Sequence, residues 1–70
     1  MASPAFDTFV TYRIISTLVT PWKEQAAFEH GIIDEKGKLL RKSNTLKTSD
    51  EKKAYTLFHR LVFNLKRLIQ

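Results

Sequence analysis

Lys52, His59, Arg60, Phe63 and Arg67 bring positive charge, a titratable imidazole and an aromatic ring together in one stretch of this chain. Cations beside an exposed ring suit an acidic protein surface, because aromatic residues and arginine are enriched where proteins meet. Catalytic chemistry has weaker candidates. Asp34 and Glu35 are adjacent carboxylates, but neighbours on a turn point different ways and neither has the surroundings that tune a pKa. Ser3, Ser16, Ser43 and Ser49 lack a nearby His and acid in a nucleophile setting. The two histidines, His30 and His59, are too few and too separated for a metal cage, and with no cysteine there is no thiolate or Cys-based zinc site. Gly31 and Gly37 are the only glycines, so no phosphate-binding loop is present. The chain reads as a non-enzyme with no cofactor and no metal.

The element that must carry the five residues is a helix over about 49–69. Thr48 and Glu51 form a capping-box pair ahead of an apolar run. Asp50 and Glu51 then favour its start and Lys66 and Arg67 its end, through the helix dipole. At about 100° per residue, Ala54, Leu57, Phe58, Leu61, Val62, Leu65, Leu68 and Ile69 share an arc of roughly 140°, which predicts a core-facing stripe. Phe63 falls on the far side, between Lys52 and Arg67, with His59 and Arg60 one turn away. Two readings of it stand: a ring covered by another part of the domain or simply exposed, and an aromatic anchor inside a basic rim.

The rest of the chain supplies what the stripe packs against. Ser3 and Pro4 form a cap-and-proline start, and Phe6, Phe9, Val10, Ile14, Thr17 and Leu18 recur at helical spacing over about 4–19. Thr20 and Pro21 repeat that start for a second helix over about 21–30, with Gly31 as its stop. Ile32 to Leu40 changes period and predicts a short β-hairpin over about 32–40, turning at Gly37. Residues 41–47 read as a loop. The expected fold is therefore α+β, mostly α, in one small domain: three helices, a hairpin between the second and third, and Phe9, Ile14, Leu18, Trp22, Phe28 and Ile33 meeting the stripe.

Seventy residues, 43% hydrophobic and 27% charged, suit a small folded domain, one that buries only about 60% of its unfolded surface. No apolar run approaches a membrane span, and the start lacks the basic-then-apolar order of a signal peptide. Charge is uneven. Residues 1–31 carry a net −1, whereas residues 32–70 hold ten basic against four acidic residues. Such a field attracts acidic protein or nucleic acid. Lys52, Arg60, Lys66 and Arg67 could meet phosphates, yet about 17 residues between the second and third helices are too many for a helix-turn-helix. Nucleic acid is the secondary partner.

Three runs also carry a family likeness: Gly31-Ile32-Ile33-Asp34-Glu35-Lys36-Gly37-Lys38, then Asp50-Glu51-Lys52-Lys53-Ala54-Tyr55-Thr56, then Phe58-His59-Arg60-Leu61-Val62-Phe63-Asn64-Leu65-Lys66-Arg67. Over residues 9–69 the chain resembles the head-scaffold, or prohead-core, group of virion morphogenesis proteins of large contractile-tailed bacteriophages. The resemblance implies a non-enzymatic structural or head-assembly protein, located in the virion or prohead and in the host cytoplasm during assembly. Its partners would be other phage structural proteins, self included, with no membrane. The alternative is a small phage regulator that binds nucleic acid or a host enzyme. Prohead proteases of such phages cut after Leu or Ile, any residue, then Glu, so the resemblance implies a processing site at Ile33, Glu35 and Lys36. Asp34 and Glu35 also have a plain turn explanation. Core proteins of this group are often longer and more acidic than this chain.

Overall fold

The computed structural model describes residues 4–69, and the side-chain surroundings of residues 7–69. Ser3, the expected first cap, lies outside the described residues. Four α-helices follow one another: α1 (Pro4–Val19), α2 (Ala26–Glu29), α3 (Ser49–Ala54) and α4 (Leu57–Ile69). Short 3-10 turns at Trp22–Glu24 and Ser43–Thr45 connect them. No strand is present among the described residues, so the α+β expectation is corrected to an all-helical fold.

The Leu40 amide donates to the Ile32 carbonyl at 2.7 Å and the Asp34 amide to the Lys38 carbonyl at 2.9 Å, but the expected hairpin goes no further because the amides that would extend it are engaged elsewhere. The Ile32 amide donates to the Ala27 carbonyl at 2.9 Å and the Gly31 amide to Phe28 at 3.0 Å, a Schellman closure of α2 with Gly31 at φ +69°. On the other side of the loop, Asp34 Oδ1 accepts from the amides of Lys36 and Lys38, both at 2.8 Å. These bonds hold the Asp34 carboxyl below its ordinary value. What survives of a ladder is one antiparallel bridge, Ile33 with Leu39.

Two expected helices are also interrupted. The second breaks at Gln25, whose backbone is extended at ψ 141°. Its buried side chain donates to the Thr17 and Thr20 carbonyls, both at 3.1 Å. The third breaks at Tyr55 and Thr56. Thr48 caps α3 as its spacing predicts: Thr48 Oγ1 accepts from the Glu51 amide, and Glu51 Oε1 accepts from the amides of Thr48 and Lys47. The Arg41 guanidinium on Glu51, together with those two amides, holds its carboxyl down at about 2. A second cap of the same design then restarts the chain. Thr56 Oγ1 takes the His59 amide at 3.4 Å, and His59 Nδ1 reaches back to the Thr56 amide at 3.3 Å and its hydroxyl at 2.9 Å. Here histidine stands where a capping box has Glu or Gln.

Trp22, Ala27, Ile32, Ile33, Leu46, Ala54, Tyr55 and Phe63 form the core, with Phe28 packed against it. Phe63 is its centre: the Trp22 ring meets it edge-on at 5.3 Å, and Tyr55 lies at 6.0 Å. Gly37 passes beneath the Trp22 indole at φ +82°. Against this centre α1 is peripheral, with no fully buried side chain from residue 7 to residue 19. Val10, Ile14, Thr17 and Leu18 are half-buried, while Phe9, expected in the core, is exposed. The Arg13 guanidinium lies 4.3 Å over Phe58, and Lys66 Nζ donates to the Leu18 carbonyl at 2.5 Å, so α1 and α4 run in the same direction. The result is a flat body, 36 × 28 × 17 Å between Cα extremes.

Candidate functional site

The structure separates the five residues proposed as a contact site. Phe63 is 0% exposed, so the anchor reading is corrected and the covered-ring reading describes the molecule. Its burial follows from ring packing: Trp22, Tyr55 and His59 surround it, and that aromatic contact outweighs its place between polar neighbours on the helical wheel. Arg67 is half-buried and turned inward, donating from Nε to the Gly37 carbonyl and from Nη1 to Asn64 Oδ1, both at 2.7 Å. Lys52 is exposed on α3. Arg60 is exposed and lines a shallow hollow of about 320 Å³ with Leu39, Lys42, Ser43, Asn44 and Tyr55.

His59 is half-buried against Phe58 and Phe63, and its Nδ1 belongs to the α4 cap. Burial, and secondly the charge of Arg13, lower its pKa from the ordinary 6.5. The unfolded chain therefore takes up this proton first as pH falls. The stability it contributes is complete above 6.5 and is lost as pH drops through the folded value. We expect the melting temperature of the native chain to fall below pH 6.5 relative to His59→Gln, whose amide oxygen keeps an uncharged acceptor for the Thr56 amide. The cap as a whole is worth about 1 kcal/mol, which bounds the difference. Parallel Tm–pH curves for the two proteins would show that His59 does not titrate the cap.

The three residues of the expected processing site do not share an accessible segment. Ile33 is 1% exposed, whereas Glu35 and Lys36 are exposed on the turn that Asp34 closes. Glu35 pairs with Lys23 at 3.6 Å across that turn. Cutting the Glu35–Lys36 bond requires the turn to open and Ile33 to leave the core, since a protease reads its site as extended chain. Beside the turn, Phe28, Gly31, Ile33, Asp34, Glu35, Lys36 and Leu40 line an open hollow of about 580 Å³. It holds no convergent set of reactive groups. Among the described residues there is also no cluster of His, Asp and Glu fit for a metal ion.

The residues that are available for contact are ones assigned above to the core. Leu57, Leu61, Leu65, Leu68 and Ile69 are all exposed, Leu61 at 60% and Leu68 at 82%. On the α4 wheel the arc buried against α1 and the core runs through Phe58, Val62, Lys66, Phe63 and Arg67, so the leucines lie on the outer side. Neighbouring α1 likewise exposes Phe9, Tyr12, Ile15 and Val19. A clue was present in the sequence. A 140° apolar arc plus an aromatic on the opposite side amounts to two apolar faces, and a chain this short can cover one.

Lys66, the other surprise, is 4% exposed. Its ammonium caps the Leu18 carbonyl and lies 5.0 Å over the Trp22 ring. Together with Gln25 it satisfies the C-terminal carbonyls of α1, a helix with no basic residue of its own in its last turn. No family model matches the chain, and neither a curated protein nor a solved structure is similar to it.

Proposed function

We propose that this chain is a non-enzymatic contact module that acts through the outer side of α4 and the adjoining apolar residues of α1. The observation that carries the reading is the leucine row itself: Leu57, Leu61, Leu65 and Leu68 stand in solvent on one side of one rigid helix. Large exposed apolar patches on small proteins mark sites of association. Among the described residues no helix is long and apolar enough to cross a membrane, so a bilayer-spanning role has no support as the purpose of this row. The resemblance to head-scaffold proteins supports particle assembly as the setting. Detection of the chain in purified proheads or virions would back that setting, and confinement to the soluble fraction would overturn it.

A photo-crosslinking residue tests the contact role directly. Placed at position 61 it is expected to yield protein–protein crosslinks in cells making the chain, while the same residue at position 52, on the exposed polar side of α3, yields few. No crosslink at 61 sinks the reading. The second reading, a nucleic-acid-binding regulator, is favoured by Lys42, Lys47, Lys52, Lys53 and Arg60. All are exposed, and among the described residues the ion pairs are Lys23–Glu35 and Arg41–Glu51 only. That reading requires retention on DNA that falls steeply with salt.

A further inference from the structure

We infer that the outer face of α4 and α1 pairs with the same face of a second copy of this chain, forming a symmetric dimer. The inference rests on the contact role proposed above and names its occupant. Three independent features point to self-pairing.

The first is surface area. A folded monomer of 8.2 kDa is expected to expose about 4,500 Å². This chain exposes 5251 Å². The excess, about 700 Å², is close to the roughly 800 Å² that one partner contributes to a standard interface. Nine of the large exposed apolar side chains stand on α1 and α4: Phe9, Tyr12, Ile15 and Val19 on the first, Leu57, Leu61, Leu65, Leu68 and Ile69 on the second.

The second is thickness. Stable domains stack at least two layers of secondary structure around a core. With a Cα extent of 17 Å in its thinnest direction and a radius of gyration of 12.8 Å, against about 11 Å for a compact chain of this length, the molecule is a thin plate. A second copy laid on α1 and α4 supplies the missing layer and converts two helices into a four-helix arrangement.

The third is the pattern of charge along the row. Leu61, Leu65 and Leu68 follow the alternating four-and-three spacing of a helix-pairing seam. The flanking positions, where charged residues normally choose between partners, are Leu57, Val62, Asn64 and Ile69. None of them is charged. Lys66 and Arg67 are turned inward to the Leu18 and Gly37 carbonyls, and Arg60, the exposed cation of the helix, stands about 100° round it from the centre of the row. Nothing on the seam therefore repels an identical copy, despite a net charge of +5, and nothing on it is built to select an acidic stranger.

Sedimentation and light scattering on the purified full chain test the pairing. The expected result is a mass twice 8.2 kDa, with a melting temperature that rises with concentration. Replacing both Leu61 and Leu65 by Glu is expected to weaken the dimer more than about a hundredfold while the helical spectrum is kept, because neither side chain belongs to the core. A second variant with Lys at both positions controls for misfolding: mixing the two is expected to restore a dimer of one copy of each. A native chain that stays monomeric up to millimolar concentration overturns the pairing, as does a Glu variant that dimerises like the native chain. A monomer that crosslinks a different protein through position 61 also overturns the pairing, and leaves the contact role standing.

Discussion

Phe63→Ala is expected to remove about a third or more of the stability of the chain. Removing a fully buried Phe costs about 3 to 5 kcal/mol, through lost transfer energy and the cavity left behind. A 70-residue domain has about 3.5 to 10 kcal/mol in total. Phe63 is the residue on which Trp22, Tyr55 and His59 converge, and no neighbouring side chain is positioned to refill the space. Urea titration followed by tryptophan fluorescence measures the loss, since Trp22 is the only tryptophan and touches Phe63. Leu61→Ser is the comparison. It removes a side chain of similar hydrophobicity from the same helix, yet at 60% exposure it should cost the monomer less than about 1 kcal/mol. Equal losses for the two would mean that the leucine row, and not Phe63, faces the core.

The second large effect is expected at Gly37. A Cβ there would overlap the Trp22 indole at Cε2 and stand 2.5 Å from Cζ2, inside any real contact distance. The backbone at φ +82° adds a left-handed conformation that L side chains resist. Together, overpacking of roughly 1 to 3 kcal/mol and a conformational cost of about 1 kcal/mol predict a loss of about 2 to 4 kcal/mol for Gly37→Ala. Gly31→Ala separates the two contributions. It shares a positive φ, +69°, but has nothing within 4 Å of the added carbon, so it should cost about 1 kcal/mol. The ordering is checked by thermal melts of both variants. A Gly31 variant as unstable as the Gly37 variant would show that the indole is not the obstacle.

What could be read from the chain beforehand was mostly local. α1 falls where apolar spacing predicts a helix, Thr48 and Glu51 cap α3 as their spacing implies, and Gly31 and Gly37 take the positive φ that their turn positions require. These depend on neighbours a few residues apart. The hairpin shrinks to one bridge because the strand-like side chains of Ile32 and Leu39 do not decide the outcome; the partners of the Ile32 amide and the Asp34 carboxylate do. The break at Thr56 was hidden because its reciprocal cap uses His59, which serves there only while its Nδ1 is unprotonated.

The candidate site was misplaced for a different reason. A helical wheel ranks the sides of α4 by hydrophobicity but carries no information on what the partner elements offer. Trp22, Tyr55 and Gly37 offer an aromatic slot that takes Phe63, and the carbonyls of α1 offer an acceptor that takes Lys66. Both contacts join residues far apart in the chain, and both turn the polar-looking side of α4 inward. The leucines are left outside as a consequence.

The tie between Lys66 and Leu18 has a bearing on how the molecule comes into being. Those residues are 48 positions apart. At a synthesis rate of about 5 to 20 residues per second, Leu18 is made roughly 2 to 10 s before the ammonium that caps its carbonyl. Since α1 buries no side chain completely from residue 7 to residue 19, little else holds that stretch during the interval. Val10, Ile14 and Leu18, which the folded chain half-covers, are then open to whatever passes. In the cell α1 thus waits for α4 to be made, and a chaperone or a neighbouring nascent chain meets it before the rest of its own fold does.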